Sequence, residues 1–126
     1  MAGFNYSCRR ALDAREPLPL RYVMFIQACS AFRGLCGYPV RMQDVHDALA
    51  DAVGFSRNNK PTAEQLVLAV SAMIAARFRL LHLLRESERA RHRRKIVGNR
   101  AKVPRPFTAR QALDLLRQFA ALGPGR

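Results

Sequence analysis

The chain has no tryptophan, only three lysines, and only nine acidic residues to set against 19 arginines. Valine, isoleucine and threonine are sparse beside alanine, leucine and arginine, a balance that starves a β-sheet and favours helix. Cysteine is limited to Cys8, Cys29 and Cys36. An odd number with no C-x-x-C spacing argues against a disulfide scaffold and against structural zinc. Cys29 and Cys36 share a helix face, with His46 as a third donor, but reduced core thiols of a cytoplasmic protein are the expectation. No apolar leader precedes the first helix, so no secretory signal is expected. The longest apolar run, Leu66 to Leu84, is broken by Arg77, Arg79 and His82, which argues against a membrane span. A Gly-rich phosphate loop, a nucleophile–base pairing and a carboxylate dyad are all missing. Asp44, Asp47 and Asp51 share a face of the kind that elsewhere holds Mg²⁺. They also alternate with an apolar stripe, as any exposed amphipathic face does. No enzyme, metal or cofactor is expected.

What is there is enough for one domain. Of the 126 residues, 49% are apolar, so the chain can bury a core and is not disordered throughout. The seven glycines and seven prolines fall mostly between apolar-periodic stretches. The pattern predicts an all-α bundle of about five helices in one domain. Core helices lie within about 7–84 and 107–122, and 85–106 forms a basic helical extension and linker.

The first helix is expected over Ser7 to Arg15, stopped by Pro17 and Pro19. The second, Leu20 to Cys36, is apolar nearly all round and is expected at the centre, with Gly37 ending it. The third, Arg41 to Val53, carries Met42, Val45, Leu49 and Val53 on one stripe, with His46 among the aspartates on the other side. A T-x-x-Q capping box, Thr62 with Gln65, opens the fourth helix. Its face is read as Leu66, Val70, Met73, Arg77, Leu81 and Leu84, widened by Val67, Ile74 and Phe78. It is expected to run to about Val97, a rod of ~52 Å for ~35 residues. A second box, Thr108 with Gln111, opens the fifth, with Ala112, Leu113, Leu116, Phe119 and Ala120 inward and Gly123 closing it.

Charge is the most informative feature. Between Arg77 and Arg110 stand twelve Arg or Lys against Glu86 and Glu88, a net +10, while the other 92 residues hold only +3 of the chain's +13. A GC-rich genome accounts for arginine over lysine as readily as phosphate recognition does, but it does not account for clustering. A block that repels itself needs a counter-charge, and the commonest polyanion is a nucleic acid. The expected contacts are Arg85, Arg89, Arg91, Arg93, Arg94, Lys95, Arg100, Lys102 and Arg105, with Arg77 and Arg79 as supports nearer the core. Pairs Glu86–Arg89, Glu88–Arg91 and Glu88–His92 are expected to help the helix persist, at about 0.2–0.5 kcal/mol each. Phe78 and Phe107 are read as core residues, His82 as partly buried and His92 as surface. With no aromatic left to stack, backbone recognition of RNA or single-stranded DNA is favoured over base reading.

Two other readings share these residues. In the first, helices three and four form a divergent helix-turn-helix of a DNA-binding regulator, with Gln65 and Arg57 as contacts. The recognition helix would then carry no basic residue before Arg77, and the loop is long for that motif. In the second, the basic helix of an adapter or inhibitor docks an acidic partner. Asp44, Asp47 and Asp51 of a neighbouring copy offer one such partner, giving head-to-tail self-association. An anionic membrane is disfavoured because residues 85–95 lack large apolar side chains to insert. The expected role is a small subunit or accessory protein of a larger nucleoprotein assembly.

Overall fold

Local chemistry writes the helix starts. Thr62 Oγ1 accepts from the Gln65 backbone N–H at 3.2 Å, and the Thr62 N–H donates to the Gln65 side chain at 3.0 Å. Thr108 and Gln111 repeat the exchange at 3.1 and 2.8 Å. At Arg41 the backbone N–H donates to the Asp44 carboxylate, 2.9 Å away. Each device satisfies amide donors that a helix N-terminus leaves without partners. The computed structural model describes residues 3–96 and 105–123, without the side chains of 94–96, and contains α1 (Phe4–Ala11), α2 (Leu18–Cys36), α3 (Met42–Val53), α4 (Ala63–Ile96) and α5 (Ala109–Leu122). No strand occurs among the described residues. The all-α expectation therefore holds.

Helix ends are equally specific. Gly54 closes α3 in the left-handed region at φ +106°, where a side chain would be strained. Gly37 follows α2 at φ +87°, and a Cβ there would also collide with the Arg105 guanidinium. At the end of α1, the buried Arg21 donates from Nε to the Ala11 carbonyl at 2.8 Å.

α1 packs along α2, α2 along α3, and α5 fits between α3 and α4, while α4 touches all four of the others. Phe25, Phe32, Leu49, Leu66, Met73, Leu80 and Leu116 are fully buried at the centre, and every helix contributes to this one core. On α4 the inward face is Leu66, Ala69, Val70, Met73, Ala76 and Leu80. Three of its best-buried positions are alanines (69, 72 and 76), which let neighbouring helices approach closely. By length and composition α4 is apolar enough to cross a membrane, with a mean hydropathy of 1.7 over its best 18 residues. In this fold that apolar stretch supplies the bundle's longest core face.

Several expectations need correction. α1 begins at Phe4 and ends at Ala11, earlier than Ser7 to Arg15, because Phe4 is drawn into the core against Phe32 and Asp13 turns the chain by binding Arg15. α2 is not wrapped on all sides, since Leu18 and Val23 remain exposed. His46 is buried at 2% exposure rather than facing solvent with the aspartates. Phe78, expected inside, is 75% exposed, and Ile74 beside it is 40% exposed. His82 is likewise exposed and meets Glu86 at 3.1 Å. Among the described residues none of the three expected glutamate pairs forms, and Glu86 turns back to His82 in place of Arg89. Phe107 is buried and His92 exposed, as expected.

Candidate nucleic-acid interface

The arginines divide by what their guanidinium groups already hold. Arg21 is spent on the end of α1. Arg105 does the same for α2: Nη1 donates to the Cys36 carbonyl at 3.2 Å, Nη2 donates to the Leu35 carbonyl, and the group stacks 4.8 Å from the Phe107 ring centroid. A cation on the last carbonyls of a helix is favoured by the macrodipole. Arg105 therefore sits in packing and capping, apart from the other expected contacts. Arg77 is half-buried, its guanidinium 4.8 Å above the Phe4 ring, so it too braces the body of the bundle. Arg79 is exposed and borders a groove of about 370 Å³ between α4 and α5, with Leu83, Pro106, Gln111 and Asp114.

Arg85, Arg89, Arg91 and Arg93 form the other population. All four are exposed, and none is in an ion pair among the described residues. Arg85, Arg89 and Arg93 follow one another at i, i+4 and i+8, a ridge ~12 Å long on one side of α4. Arg91 lies on the opposite side. From Arg91 to Arg93 every side chain is exposed, so the helix has left the bundle by that point. Arg94 and Lys95 continue α4, but their side chains lie outside the described residues, as do Arg100 and Lys102. Upstream, the same ridge runs back through His82 to Phe78.

One constellation has the look of catalysis and was not foreseen. His46 sits with Nδ1 2.9 Å from Asp47 Oδ1 and Nε2 2.8 Å from the Tyr22 hydroxyl. An ionised Asp47 only accepts, so Nδ1–H donates to it, and in the neutral ring Nε2 accepts from Tyr22. Phe25 and Phe55 close around the imidazole at 5.7 and 5.8 Å between ring centroids. Burial pushes the Tyr22 phenol up from its ordinary value, which opposes a phenolate nucleophile. The set reads as a polar bolt joining α2 to α3. Its sequence signal, a histidine among aspartates on an exposed-looking face, gave no hint of the tyrosine 24 residues earlier.

The remaining groups are similarly occupied. Asp44 caps α3 and Asp47 holds His46, while Asp51 is exposed and in no ion pair among the described residues. Gln65, the candidate base reader, accepts from the Thr62 N–H and donates from Nε2 to the Gly54 carbonyl at 3.2 Å. Arg57 is exposed on the loop. Burial raises the Cys8 thiol to about 12 and the Cys36 thiol to about 11, and also lifts Cys29 well above the ordinary thiol value. No group of three His, Cys, Asp or Glu side chains is gathered for a metal among the described residues. Comparison with family models, curated proteins and solved structures finds no match to this chain.

Proposed function

We propose that the protein binds a nucleic-acid backbone, without catalysis and with little regard to sequence, as a small subunit or accessory protein of a cytoplasmic nucleoprotein complex. One observation carries the reading. The outer end of α4 presents Arg85, Arg89, Arg91 and Arg93 exposed and in no ion pair among the described residues, whereas Arg21, Arg77 and Arg105 are held within the bundle. Exposed guanidinium groups at phosphate-like spacing gain counterion release on meeting a polyanion, and self-repulsion is relieved at the same time. Three free, buried cysteines fit a reducing compartment.

The helix-turn-helix alternative has less support, because Gln65 has both ends of its amide engaged and α4 opens with no cation. Docking of an acidic protein on the same arginines is the competing outcome of the test. That test is a titration with RNA, single-stranded DNA and duplex DNA of unrelated sequences over a salt series. Affinity that falls steeply with salt and varies little with sequence supports the proposal. No binding to any polymer at low salt overturns it in favour of a protein partner.

A further inference from the structure

We infer that Phe78 is a base-stacking platform and that the bound polymer is single-stranded. This rests on the backbone-binding reading and narrows its ligand. Phe78 is 75% exposed, with Ile74 and Leu81 beside it, on the outward side of a helix whose opposite side fills the core. With Ile74 and Leu81 beside it the ring forms a contiguous apolar surface patch, the kind that marks a contact surface. Beside it lies a depression of about 280 Å³, walled by Phe4 and Asn5 of α1 and by Arg77, Phe78, Leu81 and Arg85 of α4. Its chemistry is that of a nucleotide subsite. It offers an aromatic face for a base, an exposed amide with donor and acceptor for a base edge, and the Arg85 guanidinium for a flanking phosphate.

The spacing agrees with a strand following the ridge. Phe78 to Arg85 is seven residues and Arg85 to Arg89 four more, so the platform and the next two cations stand ~10 and ~6 Å apart along the axis. Arg77 already lies 4.8 Å over the Phe4 ring on the inner wall, which leaves Arg85 as the exposed cation bordering the depression. A duplex hides the faces of its bases, and only a single strand presents them to a ring. An acidic amphipathic helix is a poorer occupant. The apolar patch ends at Leu81, and the outward positions beyond it, His82, Arg85, Glu86, Arg89 and Arg93, give its apolar stripe nothing to cover.

The absence of tryptophan provides a clean reporter. Phe78→Trp places the chain's single indole on the platform, excited selectively over the three tyrosines, and end-labelled oligothymidylate of about 16 nucleotides reports binding independently by anisotropy. Single strands are expected to quench the indole along the same curve that anisotropy follows, while an equal length of duplex binds without quenching. Phe78→Ala and Phe78→Leu are each expected to weaken single-strand binding by about fivefold to a hundredfold and to leave duplex binding unchanged. Phe78→Tyr retains it. Tight single-strand binding with unmoved emission and an unaffected Phe78→Leu overturns the stacking role while leaving backbone binding intact. An indole that responds only to an acidic apolar peptide overturns it in favour of a protein partner, and failure of every polymer to bind overturns both readings together.

Discussion

Replacing Arg85, Arg89, Arg91 and Arg93 together by glutamine tests the division of the arginines most directly. Glutamine nearly matches arginine in helix propensity, so α4 keeps its form while losing four charges. All four side chains are exposed, so no core contact is disturbed. On a single strand each phosphate contact contributes about 0.7 to the slope of log affinity against log salt. Four contacts account for about 2.8 units of slope, which at 0.1 M salt amounts to roughly fivefold per arginine and several hundredfold in all. The assay is anisotropy of a labelled oligonucleotide at five or so salt concentrations, with helicity checked by circular dichroism. The control is Arg105→Gln, which removes the guanidinium from the Cys36 and Leu35 carbonyls. It is expected to leave the slope nearly unchanged and to cost about 1 kcal/mol, a fall in Tm of about 3–5 °C. A quadruple variant with the parental slope, or an Arg105 variant that loses slope without losing stability, would refute the assignment of phosphate contact to the tip.

Tyr22→Phe removes the donor to His46 Nε2 and leaves a buried acceptor alone, at an expected cost of about 1–3 kcal/mol in denaturant unfolding with no change in binding. Ser7 is completely buried and its Oγ has no partner, so Ser7→Ala is expected to raise stability by up to about 1 kcal/mol in the same assay. Folding holds protons on Cys8 and Cys36 to about 12 and 11, above the ordinary thiol value of 9.0. The folded state thus binds more protons than the unfolded chain above pH 9, so stability is full below that value and declines as pH rises toward 11 and 12. Unfolding curves at pH 8, 9.5 and 10.5 check the sign, and thiol-reactive dye should label the native protein slowly and the denatured protein at once.

Both capping boxes were legible because they are local. A threonine and a glutamine three residues apart satisfy each other whatever the rest of the chain does, and both were found where expected. The phase of α4 was not legible. Weighing side chains by size puts Ile74, Phe78 and Leu81 inside, whereas the fold buries Ala69, Ala72 and Ala76 and leaves the larger residues out. Close packing of helices rewards small residues at the crossing, and which face crosses depends on partners that periodicity does not identify. The same limit hid His46, whose burial depends on Tyr22, Phe25 and Phe55 from two other segments. Arg105 could be read only as one more cation in a basic stretch, because its acceptors lie 69 and 70 residues away.

Phe78 bears on function as well as on fold. Size and spacing alone put the ring in the core, which leaves no aromatic to distinguish single-strand recognition from simple charge neutralisation. With the ring outside, the outward side of α4 falls into two parts: an aromatic and amide-lined depression next to α1, then a ridge of exposed arginines. Charge alone binds any polyanion, and its contribution fades with salt. Stacking depends far less on salt, so its share of the affinity grows as ionic strength rises. Phe78→Leu should therefore lower the preference for single strands over duplex by the same factor throughout the salt series, leaving the salt slope of each polymer unchanged. A Phe78→Leu variant that keeps the parental preference at every salt concentration would mean that the arginine ridge acts alone.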